Sequence, residues 1–93
     1  MFHFYVLYSL KDHKLYKGYS SNAAARFAYH QAGGNKSTKN RRPLVLIYVE
    51  VFPTKQEAMQ RERWAKSAEG GPQLKALLQE MGILGSQFRL NGL

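Results

Sequence analysis

The sequence predicts a fold of mixed strand and helix, in the order β-β-α-β-α-α. Three observations predict it. Aromatic and branched residues fill 3–10 and resume at 15–20 beyond a polar turn, as in paired strands. An almost unbroken apolar run, Leu44 to Phe52, stops at Pro53. Leu74, Leu77, Leu78 and Met81 recur at i, i+3, i+4 and i+7, the spacing of one helix face.

The first strand carries Phe4, Val6, Tyr8 and Leu10 on one face and Tyr5 and Leu7 on the other. Both faces are apolar, so the strand is expected at the centre of its sheet. Lys11-Asp12-His13-Lys14 is the turn. A two-residue loop of Lys11-Asp12 or of Asp12-His13 makes a hairpin. Either register puts Tyr5 and Tyr16 on one face, and the first makes them diagonal neighbours, about 7–8 Å apart.

Ser20, Ser21 and Asn22 suit the N-cap of a helix over about 22–31. Ala23, Phe27 and His30 share a stripe of that helix, with Arg26 at its edge. Arg26 and His30 are one turn apart and therefore neighbours. Gly33 and Gly34 end the helix. Residues 35–42 hold Lys36, Lys39, Arg41 and Arg42 with no acid, and are expected to form a loop closed by Pro43.

Thr54-Lys55-Gln56-Glu57 is a capping box opening a helix that runs to about 65–67. Glu62 falls between Ala58 and Ala65 on its inward stripe, and Lys66 lies near Met59. A carboxylate there costs desolvation unless something compensates it. Gly70-Gly71 separates a third helix, with Pro72 in its first turn and Gly82 as its stop. In 83–93, Ile83, Leu84 and Phe88 are candidates to pack back, and the last few residues are expected to fray.

The 93 residues suffice for one core, and are taken as one domain over 1–93. With no cysteine, disulfides and thiolate metal sites are excluded, and any metal must sit on oxygen or imidazole. No apolar run approaches the ~20 residues of a membrane span. Strand-like alternation begins at once, with no leader pattern. The expectation is a soluble cytoplasmic protein without a membrane partner. Net charge is +8, from 14 Lys and Arg against six acids. Such a field attracts polyanions, and nucleic acid is the favoured partner, ahead of charge that serves solubility alone and of an acidic protein or membrane surface.

Several residues carry chemistry beyond what a core requires. An inward Glu62 facing a basic, phenol-lined surface suits a divalent cation held by oxygens and several waters. Arg26 offers a fork of donors that fits phosphate oxygens. Tyr5 and Tyr16 share a face directed at the first helix. His30 is either chemical or a hydrogen-bonded structural histidine. His3 and His13 look incidental, and the three histidines lack metal-ligand spacing. Lys36, Lys39, Arg41 and Arg42, with Lys17 and Lys66, suit contacts to a phosphate backbone, which give affinity without sequence readout. There is no phosphate-binding glycine loop, serine triad or zinc motif.

Taken together, these residues resemble the GIY-YIG nuclease superfamily. His3-Phe4-Tyr5 matches the first signature element and Tyr16-Lys17-Gly18 the second, with the tyrosines eleven apart. Arg26 follows Tyr16 by ten, and His30 follows Arg26 by four, matching the family's Arg-x-x-x-His helix. The stretch from Lys36 to Leu44 and Glu-Ala-Met-Gln-Arg-Glu at 57–62 resemble small stand-alone bacterial members, related to the nuclease domain of excision-repair incision subunits. The likeness covers about residues 3–78. His3, Phe4 and Lys17 depart from the usual signature residues; alternation aims Lys17 away from the Tyr16 face, where it adds charge. Asn91 is nearest to the asparagine of larger members, and that role is not carried over.

The resemblance implies an α+β fold, a three-stranded antiparallel sheet flanked by about three helices. It implies a metal-dependent endonuclease acting on nucleic acid, preferentially DNA, in repair or recombination. Glu62 would bind one Mg²⁺ or Mn²⁺, Arg26 would hold the scissile phosphate, and Tyr5 or Tyr16 would orient or deprotonate the attacking water, with His30 a candidate to share the proton. A phenol of pKa ~10 is a poor base at neutral pH, so the metal and Arg26 would have to lower it. The rival classes are a non-catalytic nucleic-acid binding module and a protein–protein adaptor on the same fold. Substrate structure, oligomeric state and any protein partner that supplies specificity stay open.

Overall fold

The computed structural model describes residues 1–92. Its strands are β1 (Phe2–Ser9), β2 (Leu15–Ser20) and β3 (Leu44–Phe52). Its helices are α1 (Ala23–Gln31), α2 (Lys36–Lys39), α3 (Lys55–Lys66) and α4 (Gly70–Glu80). The strands form one antiparallel sheet in the order β2-β1-β3. The doubly apolar strand is therefore central, and the fold is the expected α+β.

The hairpin pairs Tyr5 with Gly18 and Leu7 with Tyr16, the first of the two expected registers. Its turn is longer than expected. The Ser9 carbonyl accepts from the His13 amide at 2.9 Å, and Leu10 donates away to the Pro43 carbonyl at 2.9 Å. Losing Leu10 from the ladder leaves a four-residue turn, Leu10–His13. His13 takes a positive φ of 61° there and its Nδ1 meets the Tyr8 hydroxyl at 3.0 Å. His3 is not incidental either. Its Nδ1 accepts from the Ala23 amide at 2.9 Å, tying the start of α1 to β1.

The two faces of β1 bury two clusters. Phe4, Val6 and Tyr8 pack with Ala65, Leu74, Leu78 and Leu84. Tyr5 and Leu7 pack with Ala23 and Leu44. A register shift between Val6 and Leu7 explains why β3 is nearly all apolar. Leu46 opposes Leu7 while Val49 opposes Tyr5, so Leu44, Leu46, Val49 and Val51 face the same side despite the change of parity. Glu50 then anchors α3: Arg61 donates to both its oxygens, at 2.7 and 3.1 Å, and lies 3.9 Å above the Trp64 ring.

Two boundaries differ from expectation. The basic run is not all loop: the Asn35 side chain accepts from the Ser37 amide at 2.9 Å, an N-cap that starts the short α2. Gly70 and Gly71 belong to α4 rather than preceding it, and both are buried. A Cβ on Gly70 would lie 1.8 Å from the Trp64 carbonyl oxygen, so glycine is what lets α4 begin against the end of α3. Beyond α4, Leu84 is 1% exposed and bridges to Leu90. The expected fraying of the last residues includes residue 93, which lies outside the described residues. No helix among the described residues is long and apolar enough to cross a membrane.

Candidate active site

A cleft of about 580 Å³ opens where β1, β2, the first turns of α1 and the middle of α3 meet. Tyr5, Tyr16, Gly18, Arg26, Lys55 and Glu62 line it. Each arrives for a local reason. Tyr5 and Tyr16 share a face because residues opposed or diagonal across a ladder do so; their ring centroids are 6.5 Å apart. Arg26 is on the first turns of α1, which Asn22 caps by accepting from the Ala25 amide at 3.0 Å. Glu62 lies a turn from each of the buried Ala58 and Ala65, so its side chain turns inward and is only 19% exposed. Lys66 sits 3.6 Å from its Oε2 and 5.8 Å from the Tyr16 ring centroid.

Gly18 makes room for Tyr5. A Cβ there would lie 2.5 Å from the Tyr5 hydroxyl. Gly18→Ala is expected to push the phenol aside while circular dichroism stays native-like, so any activity that uses the cleft should fall more than stability does. Equal activity in the variant would show that the phenol's position is unimportant.

His30 does not line the cleft. It is fully buried, and its Nε2 meets the Tyr5 hydroxyl at 3.0 Å. Its Nδ1 meets Thr38 Oγ1 at 2.7 Å, and the Thr38 hydroxyl donates to the Asn35 carbonyl at 3.5 Å. These contacts are mutually consistent when Tyr5 donates to Nε2 and Nδ1–H donates to Thr38. His30 thus stands behind Tyr5 and holds its hydroxyl. Thr38 was invisible as a site residue in the sequence, where it is one polar residue in a basic run. Only the Asn35 cap, which makes the run helical, could have signalled an inward side there.

Burial, and then the charge of Arg26, hold the His30 pKa below its ordinary value. A neutral imidazole in the folded state and an ordinary one in the unfolded state give a definite sign. The native contacts are fully worth their stability above the unfolded pKa of about 6.5, and lose it as pH falls below that value, because the unfolded chain then binds the extra proton. Urea midpoints taken from pH 7.5 to 5 should fall on the acid side. The His30 part of that fall should vanish in His30→Gln; an unchanged slope in the variant would exclude His30 as its source.

Tyr5 departs from the expectation of a lowered phenol. Burial pushes its pKa above the usual phenol range, Tyr16 and Glu62 add to the rise, and Arg26 only partly opposes it. Tyr5 is therefore a protonated donor. Tyr16, half-buried in the cleft wall, is the phenol free of that duty.

Two of the arginines expected at phosphates have donors engaged within the protein. Arg41 donates to Asp12 Oδ2 at 2.7 Å and to the Leu15 carbonyl at 3.3 Å. Its hydrogen bond holds the Asp12 carboxyl low, at about 2. Arg42 donates to the Lys39 carbonyl at 2.9 Å and the Gln31 carbonyl at 3.3 Å. Orphan carbonyls at the ends of α1 and α2 take up donors that in the sequence looked free. Lys36 and Lys39 are exposed. Lys17 faces away from the cleft, opposite Val6. Asn91 is outside the cleft, donating to the Gly82 carbonyl at 2.8 Å.

The donor set decides what cation could bind. No group of three His, Asp or Glu is close enough to hold a metal among the described residues. Glu62 is the carboxylate of the cleft wall. One carboxylate beside open space suits a small hard cation that keeps most of its waters and completes its shell with substrate phosphate; it does not suit a closed protein cage.

Comparison with known proteins gives the family. The model of the GIY-YIG catalytic domain matches residues 1–71. A UPF0213 protein of Staphylococcus haemolyticus is 46% identical over 76 residues, covering 81% of this chain and 93% of its own length. A UPF0213 protein of Natronomonas pharaonis is 38% identical over 81 residues, covering 86% and 95%. The solution NMR structure of a UPF0213 protein from Bacillus halodurans matches with a TM-score of 0.49 and 35% identity, covering 83% of this chain and 85% of that one. The signature tyrosines, the Arg-x-x-x-His helix and the α3 glutamate all lie inside the matched segment, and the chain belongs to the GIY-YIG family.

Proposed function

We propose that this protein is a metal-dependent endonuclease that hydrolyses nucleic-acid phosphodiester bonds, preferentially in DNA. One observation carries the reading. A carboxylate, a guanidinium and two phenols from β1, β2, α1 and α3 line one open cleft on a chain of net charge +8. No packing requirement brings those four groups together.

Each residue has a role that its surroundings allow. Glu62 would hold Mg²⁺ or Mn²⁺, its contact to the exposed Lys66 being long enough to yield. The bound cation would supply charge to stabilise the leaving 3′ oxygen. Arg26, exposed at the cleft edge, would grip the scissile phosphate and meet its growing negative charge. Tyr16 would orient the attacking water. Tyr5, with its proton committed to His30, keeps its oxygen lone pairs available to the same water and holds the wall in place.

The test is cleavage of supercoiled plasmid and of branched DNA with Mg²⁺ or Mn²⁺. Arg26→Ala is expected to reduce cleavage by about 10²–10³-fold, the usual cost of removing one group that stabilises transition-state charge, with folding unaffected because the side chain is exposed. Binding without cleavage by the wild-type protein, with or without metal, would replace this reading by that of a binding module.

A further inference from the structure

A second groove adjoins the cleft at Arg26. It holds about 490 Å³ and is lined by Ser20, Ser21, Asn22, Ala25, Arg26 and Tyr29. Ser20, Ser21 and Arg26 also line the cleft, so the two cavities share a wall. Asn22, Ala25, Arg26 and Tyr29 follow the i, i+3, i+4, i+7 spacing of one helix face. That face lies off the stripe of the buried Ala23 and His30, and Tyr29 belongs to neither buried cluster.

Tyr29 is 48% exposed, yet its ring has a fixed seat. A Cβ on Gly34 would run into the ring, so the ring rests on bare backbone. The Gly34 amide donates to the Tyr29 carbonyl at 3.0 Å. The Arg26 guanidinium lies 5.4 Å from the ring centroid. Among the described residues the other exposed aromatic ring, Phe88, lines neither cavity. An exposed ring held beside a phosphate-binding guanidinium is a platform for an unpaired nucleobase. The rim is already engaged. Ser20 Oγ donates to the Asn22 carbonyl at 3.2 Å and accepts from the Asn22 amide at 3.1 Å, and Asn22 Oδ1 accepts from the Ala25 amide at 3.0 Å. The groove therefore offers a π-face more than a set of groups that read base edges, and such stacking tolerates any base.

We propose that this groove is a nucleobase subsite: the base of an unpaired nucleotide next to the phosphate on Arg26 stacks on Tyr29. This rests on the reading of Arg26 as the group that grips the scissile phosphate. A base held there is out of any duplex stack, so the substrate that fits is a strand unpaired beside the cut.

The test is binding in EDTA, which separates it from cleavage. Two fluorescent DNA strands of equal length are titrated, one of mixed sequence and one built throughout from stable abasic units. Both carry the same phosphates and only the first carries rings. Tyr29→Ala is expected to bind the base-bearing strand about 5–150-fold more weakly, the range for losing one base–aromatic stack, and to bind the abasic strand as the wild type does. Tyr29→Phe, which keeps the ring, should match the wild type on both. Tyr29→Leu, which keeps bulk against Gly34 without a π-face, replaces Tyr29→Ala if the latter does not fold. Unchanged binding of the base-bearing strand would overturn the subsite, as would equal weakening on both strands or the same loss in Tyr29→Phe. Wild-type protein that never cleaves, yet shows the base-dependent loss, would sink the nuclease reading and leave the subsite standing; cleavage without the base-dependent loss would do the reverse.

Discussion

Glu62→Gln is expected to lower Mg²⁺-supported cleavage by about 10²–10³-fold, the scale on which one charge-stabilising group matters in a reaction centre. The amide keeps the size and packing of the side chain and removes only its charge. The melting temperature should barely move, since the pair with the half-exposed Lys66, at 3.6 Å, belongs to a class worth about 0–1 kcal/mol. Binding of a DNA strand in EDTA should be equal or slightly tighter, because one negative charge has left a basic surface. That combination separates a cation ligand from a structural residue. If cleavage persisted within a few fold, the metal would have to sit elsewhere. If the protein melted far lower instead, Glu62 would be a packing element.

His30→Ala should have the largest effect on stability. The imidazole fills the buried space between Tyr5 and Thr38 and satisfies both hydroxyls. Removing it leaves the Tyr5 hydroxyl without its acceptor, at about 1–3 kcal/mol, leaves Thr38 only its long contact to the Asn35 carbonyl, and opens a cavity that costs more unless the site collapses. Relaxation and entering water offset part of this, so a net loss of about 3 kcal/mol is expected. For a domain of this size that is a fall in Tm of about 15 °C. His30→Gln, which can still bridge one hydroxyl, should recover part of it. Calorimetry on the two variants checks the pair. A loss below about 0.5 kcal/mol for the alanine would mean that the two hydroxyls are satisfied without His30. Cleavage should fall as well, because Tyr5 loses the acceptor that orients its phenol.

Much of this arrangement was legible in the chain. Period-two alternation in β1, the apolar run of β3 and the capping box at Thr54 each express a local preference that the tertiary structure had no reason to override. The inward aim of Glu62 was readable because two alanines a turn away on either side set its face. What escaped depends on partners distant in sequence. Thr38 joins the site only because α2 forms and turns it to His30. Donors of Arg41 are taken up by Asp12, 29 positions earlier, and donors of the exposed Arg42 by carbonyls at helix ends. Gly70 and Gly71 looked like a break, since glycine is a poor helix former; the proximity of Trp64 reverses that preference.

The amino-acid order by itself determined the elements other than α2, the central place of β1, the shared face of Tyr5 and Tyr16, and the candidacy of Arg26, His30 and Glu62, because all of these follow from periodicity and short-range spacing. Only the tertiary structure decided that His30 stands behind Tyr5 instead of in the cleft, that the Tyr5 phenol keeps its proton, and which cations remain free for a ligand. Those outcomes depend on desolvation and on which charged groups meet, and both are set by packing between segments far apart in the chain.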